Sequence, residues 1–276
     1  MGIVLALISA ASWGTGDFLG GLASRKLNQF QVLLFSTSSS MLLVFLCALL
    51  WGEHFPSGFN IILAVLAGVC GAAGLAALYK GLSLGNAALV APVAGVVGAL
   101  IPTLVGIVIE GLPGGLQLLG FGLSITGIWI VSRSHDGDAS GGRDGLIMAL
   151  LAGFGFGGFL ALVAQFEGNQ VFAPLVFSKL ASVSFAFVLL RTRRLPIPKL
   201  KAAPVAIISG FPDAGGNIFY LFATQFTRLD IAAVLSSLYP AGTVLLSGIF
   251  LKEKLTVYQW LGVGVCLAAI MLITSG

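Results

Sequence analysis

Three charged side chains interrupt long apolar stretches of this chain: Asp17, Lys179 and Asp213. If those stretches lie in a membrane, each charge costs about 2.5–3.5 kcal/mol at a helix centre and should face a cavity or an opposite charge. A carboxyl group in such a place can take up and release protons, and a lysine can neutralise it or bind an anion. We therefore predict that Asp213 and Asp17 couple to protons, with Lys179 as the counter-charge. A Lys179–Asp213 pair that only holds two helices together is the structural alternative.

Polar and aromatic residues near these charges extend the candidate site. Trp13 precedes Asp17 by one helical turn and Asn217 follows Asp213 by one turn, so each pair shares a helix face. Any of these neighbours can also serve as an interhelical hydrogen bond or an interfacial aromatic residue. The predicted substrate-binding residues are Trp13, Asp17, Lys179, Asp213, Asn217, Tyr220 and Tyr239, with Gln165 as a further candidate.

A proteolytic function is the remote alternative. The segment Gly14-Thr15-Gly16-Asp17 matches the GxGD pattern of intramembrane aspartyl proteases, in which two carboxylates share a proton, and Asp213 is the nominal partner. In that family the GxGD aspartate comes second, after a Tyr-Asp in an earlier span, and here we expect Asp17 to lie in the first span. We therefore expect no enzymatic activity and no catalytic residues.

We interpret the remaining cysteine and glutamate residues of the apolar runs as structural. Cys47, Cys70 and Cys266 lie singly in apolar runs, which favours helix packing over disulfides or metal ligation. Glu110 and Glu253 end two apolar runs and are interpreted as helix-end residues. We expect no metal and no cofactor.

The elements that carry these residues are membrane spans. The chain is 58% hydrophobic and 9% charged, whereas a soluble domain carries about 25% charged residues. About 20 apolar residues cross a bilayer as a helix, and helices satisfy their own backbone polar groups in lipid. The predicted fold is an all-α integral membrane protein with ten transmembrane helices, near residues 3–22, 30–51, 59–79, 86–109, 115–132, 145–165, 172–190, 204–224, 230–251 and 257–275.

The two halves of the chain repeat each other. Residues 13–19 (WGTGDFL) match residues 154–160 (FGFGGFL), and the correspondence continues with a shift of 141 to 143 residues. We predict a first repeat over 1–132, a linker over 133–144 and a second repeat over 145–276. Five spans is an odd number, so the repeats must be inverted, as in many transporters. The charged residues break the symmetry, because Gly158, Thr37 and Gly71 stand where the other copy has Asp17, Lys179 and Asp213.

Basic residues indicate the orientation. One side of the predicted bundle carries only Arg228 in its loops, and the cytoplasmic side of a membrane protein is the more basic one. This pattern predicts both termini outside. The opposite side would hold Arg25, Lys26, Lys80, Arg133, Arg143, Arg191, Arg193, Arg194, Lys199, Lys201, Lys252 and Lys254.

These features together resemble the EamA-type branch of the drug/metabolite transporter superfamily. The resemblance rests on Trp13-Gly14 and Phe154-Gly155 at the start of each half, and on Leu238-Tyr239-Pro240 followed by Lys252-Glu253-Lys254-Leu255-Thr256 and Leu261-Gly262. Val97 stands where the family has a proline in the first half. The resemblance implies a ten-helix inverted-repeat carrier with a central cavity, commonly proton-linked, for small metabolites, amino acids or drug-like compounds. It also implies cytoplasmic termini, opposite to the prediction from the loop charges.

The predicted function is a secondary transporter that moves small organic solutes across the inner (plasma) membrane by alternating access, as a proton-linked or exchange carrier. An uncoupled facilitator or channel is the alternative. The expected partners are a small organic solute and the lipid bilayer. Nucleic acid is not expected, because the net charge of +4 comes mostly from loops. A monomer is the expected assembly.

Overall fold

The computed structural model describes residues 1–83, 87–132, 142–168, 170–250 and 257–275 of the chain. This part of the chain is all-helical, as predicted, and a single 3-10 turn at Leu200–Ala202 accompanies the α-helices. The helices are α1 (Gly2–Ser24), α2 (Gln29–Trp51), α3 (Gly58–Ser83), α4 (Ala87–Glu110), α5 (Gly115–Ser132), α6 (Gly142–Val163), α7 (Phe172–Thr192), α8 (Pro204–Phe226), α9 (Leu229–Ser236), α10 (Tyr239–Phe250) and α11 (Val257–Ser275).

Several of these helices are long and apolar enough to cross a membrane. Within the described residues seven satisfy both conditions, namely α1, α2, α3, α4, α6, α7 and α8, with mean hydropathy between 1.2 and 2.5. The apolar part of α5 is shorter and covers Gly115–Gly127. A helix of 23 residues, such as α1, is about 34 Å long at 1.5 Å per residue, which matches the hydrocarbon thickness of a bilayer. The chain is therefore a multi-pass membrane protein.

The ninth predicted span, 230–251, is wrong as a single helix. It is broken into α9 and α10 by a turn at Ser237 and Leu238. Pro240 in the first turn of α10 has no N–H group, so it cannot donate the backbone hydrogen bond that would continue α9. In the first half Val97 occupies the matching place, and α4 runs through it unbroken. The break is thus a local difference between two otherwise similar halves.

Helices of the first half pack most extensively on helices of the second half, and the pairing is reciprocal. α1 lies along α8, and α3 lies along α6. Both pairs are antiparallel: Gly2 at the start of α1 packs on Thr227 after the end of α8, whereas Gly16 packs on Ser209 earlier in α8. The antiparallel course follows from these contacts, because residue numbers rise along one helix as they fall along the other.

Two glycines at matching positions of the repeat make especially close contacts with neighbouring helices. Gly68 of α3 lies against the carbonyl of Ser178 in α7, and Gly210 of α8 lies against the carbonyl of Ser36 in α2. Gly68 and Gly210 are repeat counterparts, as are Ser178 and Ser36. A side chain at either glycine would overlap the facing backbone, so only glycine lets the helices come this close.

The second helices of the two halves, α2 and α7, are also antiparallel, and each begins where the other ends. Gln31 in the first turn of α2 donates from Nε2 to the carbonyl of Pro196, which follows α7, at 2.7 Å. At the other end, Glu53 after α2 accepts backbone N–H groups at the start of α7, including that of Ala173 at 2.7 Å. A carboxylate at a helix N-terminus satisfies donors that have no partner within the helix.

Glu110 has a similar end-of-helix contact. Its Oε1 accepts the backbone N–H of Leu229 at the start of α9 at 3.0 Å, and its Oε2 lies 3.6 Å from Nε of Arg228. Arg228 also donates to the fully buried carboxylate of Asp230, with Nη2 2.9 Å from Oδ2. This hydrogen bond raises the pKa of Arg228 further above its usual range. The counterpart Glu253 lies outside the described residues, as does His135.

Candidate functional site

A cavity of about 680 Å³, including its open side, lies between the helices of the two halves. Both halves contribute to its wall: α1, α2, α3 and α4 from the first, and α6, α7, α8 and the α9–α10 break from the second. We call this space the central cavity. It is lined by Trp13, Asp17, Thr37, Gly71, Ala72, Leu75, Gly98, Phe156, Phe159, Leu160, Lys179, Ser182, Asp213, Asn217, Ser237 and Tyr239.

An ion pair spans two helices at the wall of the central cavity. Nζ of Lys179 on α7 lies 2.6 Å from Oδ2 of Asp213 on α8, and the side chains are 7% and 18% exposed. Asn217, one turn along α8, donates from Nδ2 to Oδ1 of Asp213 at 3.3 Å and to the Asp213 carbonyl. Both carboxylate oxygens of Asp213 therefore have partners, so this group is fixed in place.

Asp17 on α1 is the second carboxylate of the central cavity, and its situation differs. Within the described part of the chain its side chain has no hydrogen-bond or ion-pair partner, although it lies close enough to Asp213 for the two charges to interact. The neighbouring Gly16 brings α1 close to α8, because a Cβ at Gly16 would lie 3.3 Å from the backbone nitrogen of Asp213. Two carboxylates thus approach one cavity, and among the described residues only Asp213 has a cation as its partner.

Aromatic rings form much of the remaining wall. The rings of Phe156 and Tyr239 meet edge to face with centroids 6.3 Å apart. The hydroxyl of Tyr239 is buried and has no hydrogen-bond partner in the described structure. Because a buried hydroxyl without a partner is unfavourable, this group is available to a molecule in the cavity.

Tyr220, one of the seven predicted substrate-binding residues, does not line the central cavity. Its side chain is fully buried behind Trp13, with ring centroids 5.8 Å apart, and its hydroxyl donates to the carbonyl of Leu160 at 3.3 Å. Trp13 therefore stands between Tyr220 and the cavity. Gln165 lies just beyond the end of α6 and is also absent from the cavity wall.

Several lining residues were not predicted from the sequence. Thr37 and Gly71 face the central cavity, and they are the repeat counterparts of Lys179 and Asp213. Both copies therefore present these positions to the cavity, with charge in the second half and small residues in the first. The repeat contained this signal, because a functional residue in one copy marks the matching position in the other.

The other unpredicted residues carry no comparable signal. Phe156, Phe159 and Ser182 lie in apolar helices and have no distinctive sequence pattern. Whether they face the cavity depends only on how each helix is rotated about its axis. The match of Phe154 with Trp13 misleads, since Phe154 is 61% exposed on the outer surface. Within the described residues no three His, Cys, Asp or Glu side chains come close enough together to hold a metal ion.

A bundle of apolar helices in two matching halves, with a charged and aromatic cavity between them, defines a membrane-transport protein. The model of the EamA-like transporter family matches residues 1–133 and 143–275, and the chain belongs to this family. The family predicted from the sequence is thus confirmed, and both halves match it. Members of this family are transporters rather than enzymes.

Similar proteins occur in archaea and bacteria. Uncharacterized protein MJ1333.1 of Methanocaldococcus jannaschii is 32% identical over 130 residues, which are 47% of this chain and 93% of that protein. The pseudopaline exporter CntI of Pseudomonas aeruginosa is 28% identical over 133 residues, 48% of this chain and 46% of the exporter. The matched segment thus spans about half of the exporter's length.

A solved crystal structure superposes on nearly the whole molecule. It covers 99% of this chain and 96% of its own, with a TM-score of 0.77 and 14% sequence identity. At this identity the likeness shows the fold alone.

Proposed function

We propose that this protein is a secondary transporter of small organic solutes that works by alternating access, as a proton-linked or exchange carrier. The single observation that carries the proposal is the central cavity, which both halves of the chain line and which contains charged groups in an otherwise apolar bundle. A cavity between two repeats can open to either side when one repeat rocks against the other. A membrane-embedded ion pair with no such role would be a costly way to hold two helices together.

The transporter has ten membrane crossings in two inverted repeats of five, with α9 and α10 together forming the ninth crossing. The reciprocal antiparallel pairing of α1 with α8 and of α3 with α6 supports this arrangement. The contact of Gly68 with Ser178 and the equivalent contact of Gly210 with Ser36 also support it, because each joins one half to the other in the same way. Such equivalent contacts are expected when a two-fold axis in the membrane plane relates the halves.

The substrate site is formed by Trp13, Asp17, Lys179, Asp213, Asn217 and Tyr239, and Tyr220 supports Trp13 from behind. Small metabolites, amino acids and drug-like solutes are the candidate substrates. One relative is named as an exporter of pseudopaline, which supports a small organic solute as the transported class. The protein acts as a monomer in the lipid bilayer of the inner (plasma) membrane and has no nucleic-acid partner.

Proton coupling resides in Asp17 and Asp213. No described cation pairs with Asp17, so its charge can be balanced by a proton or by solute. The negative charge of Asp213 is balanced by Lys179, and the contacts from Lys179 and Asn217 hold the Asp213 carboxylate in the cavity wall. A change at Asp17 is therefore transmitted to the ion pair through the electrostatic interaction of the two carboxylates.

The test begins with a screen for solutes that raise the thermal unfolding midpoint of the purified protein, since a ligand that binds only the folded state stabilises it. A stabilising solute is then offered to proteoliposomes with an imposed pH gradient. We expect gradient-driven accumulation in the parent protein and its loss in Asp213→Asn, with solute equilibration retained. Asp17→Asn should also lose accumulation, because it alters both the coupling group and the substrate site. Unchanged accumulation in Asp213→Asn would remove that residue from the coupling mechanism.

A further inference from the structure

The charged groups of the central cavity do not balance one another. Among the described residues that line it, three carry a formal charge: Asp17, Lys179 and Asp213. The ammonium group of Lys179 forms an ion pair with Asp213, with Nζ 2.6 Å from Oδ2. With both carboxylates ionised the cavity keeps one net negative charge, and it belongs to Asp17.

The groups around Asp17 suit a positively charged guest. Trp13 lies one turn before it on α1, and Tyr239 lines the same cavity. The faces of tryptophan and tyrosine rings attract cations, and this attraction grows when water is excluded. An ammonium group held at Asp17 would therefore meet aromatic rings as well as a carboxylate.

The Tyr239 hydroxyl provides an independent indication of a missing partner. Tyr239 is 7% exposed, lines the cavity, and has a buried hydroxyl without a hydrogen-bond partner in the described structure. Buried hydroxyl groups usually have partners. Among the buried side-chain hydroxyls that lack one in the described structure, that of Tyr239 is the one on the wall of the central cavity. A polar guest next to Asp17 would supply one.

From this arrangement we infer that the solute carries a positive charge, as a protonated amine or quaternary ammonium group, and that Asp17 is its counter-ion. The apolar part of the solute then lies against Phe156 and Phe159. This inference rests on the proposed function, because it requires that solute reach the central cavity from water.

The local electrostatic potential can be measured without knowing the substrate. Thr37 faces the cavity from α2, and within the described residues its hydroxyl donates only to carbonyls of its own helix, those of Leu33 and Leu34. Thr37→Cys places a thiol there in a background with Cys47, Cys70 and Cys266 changed to alanine. Ser237→Cys gives a second reporter position on the cavity wall. Each thiol is reacted with methanethiosulfonate reagents that are cationic (trimethylammonium-ethyl), anionic (sulfonato-ethyl) or neutral (methyl).

We expect the cationic reagent to be favoured over the anionic one by about tenfold relative to a free thiol in solution, since one unpaired charge acts in a cavity of low dielectric constant. Asp17→Asn should reduce this preference to near unity, and Asp17→Glu, which keeps the charge, should preserve it. An absent or reversed preference, or one unaffected by Asp17→Asn, would overturn the inference.

The neutral reagent separates this outcome from a failure of the proposed function. If it labels the reporter thiols but the charge preference is missing, the cavity is reachable and only the cationic character of the solute is wrong. If it labels neither thiol in the folded protein, yet labels both after denaturation, the cavity does not receive solutes. That result would contradict both the proposed function and the inference.

Discussion

Nζ of Lys179 lies 2.6 Å from Oδ2 of Asp213, and the repeat counterparts of these residues, Thr37 and Gly71, face the same cavity. The second half of the chain therefore supplies the ion pair, while the first half has small uncharged residues at the matching places. The two halves share their helical scaffold, and the asymmetric charges mark positions at which they differ.

Removing one member of this pair should be more destabilising than removing both. Asp213→Asn leaves the Lys179 ammonium group, which is 7% exposed, without its partner, and such a loss costs about 3–5 kcal/mol. The double variant Lys179→Met with Asp213→Leu buries no charge and should recover most of that stability. Thermal unfolding of the three purified proteins in one detergent measures the difference. Equal midpoints for the single and double variants would contradict a buried ion pair.

Two glycine substitutions should destabilise the bundle to a similar extent. An added Cβ at Gly68 or Gly210 would overlap the carbonyl oxygen of Ser178 or Ser36, and backbone cannot move aside as a flexible side chain can. Overpacking of this kind costs about 1–3 kcal/mol, so Gly68→Ala and Gly210→Ala should both lower the unfolding midpoint.

Gly122→Ala on α5 is the matched control for these two variants. A Cβ there meets no atom within 4 Å, and alanine is the better helix former, so no loss of stability is expected. A large effect at Gly122, or none at Gly68 and Gly210, would show that close helix approach does not limit the substitution.

Tyr239 and Tyr220 should respond in opposite ways to loss of the hydroxyl. The Tyr239 hydroxyl has no partner in the described structure, so Tyr239→Phe should leave stability unchanged or raise it, while weakening solute binding by about fivefold to tenfold through one lost hydrogen bond. Tyr220→Phe removes the donor to Leu160 behind Trp13 and should cost about 1 kcal/mol of stability without changing affinity. Binding titrations and thermal unfolding of both variants test the pair. Equal effects of the two substitutions on affinity would contradict the placement of the site.

The termini should lie outside the cell. Gly2 packs on Thr227, so the N-terminus and Arg228 share one end of the bundle, and that end carries few other basic residues. The opposite end carries the basic loop after α7, which the positive-inside rule assigns to the cytoplasm. Alkaline phosphatase fused after residue 276 should be active, and the same enzyme fused after Arg194 should be inactive. The reverse result would favour the orientation implied by the family resemblance.

Much of the helical framework could be predicted from the sequence because the apolar runs are long and separated by polar turns. The predicted span 172–190 and the helix Phe172–Thr192 begin at the same residue, for instance. The break in the ninth span was harder to place. Pro240 predicts an interruption of the helix. The position of the turn, however, depends on tertiary packing, including the contact of the Pro240 ring with Gly95.

The site was only partly predictable, for a physical reason. Charged residues in apolar helices are conspicuous, and Asp17, Lys179 and Asp213 were singled out on that ground. Which aromatic residues join them depends on helix rotation, which the sequence does not specify. Tyr220 and Tyr239 look alike in the sequence, yet one fills the space behind Trp13 and the other lines the cavity.

Counterflow in proteoliposomes tests the central claim most directly. Vesicles loaded with an excess of an unlabelled stabilising solute are diluted into buffer with a trace of the labelled compound. An alternating-access carrier should accumulate label transiently above its equilibrium level, because each inward-facing cavity returns with internal solute. Thr192→Ser, at the exposed end of α7, should behave like the parent protein. Simple equilibration of the label, unaffected by internal solute, would contradict alternating access and indicate a facilitator or channel.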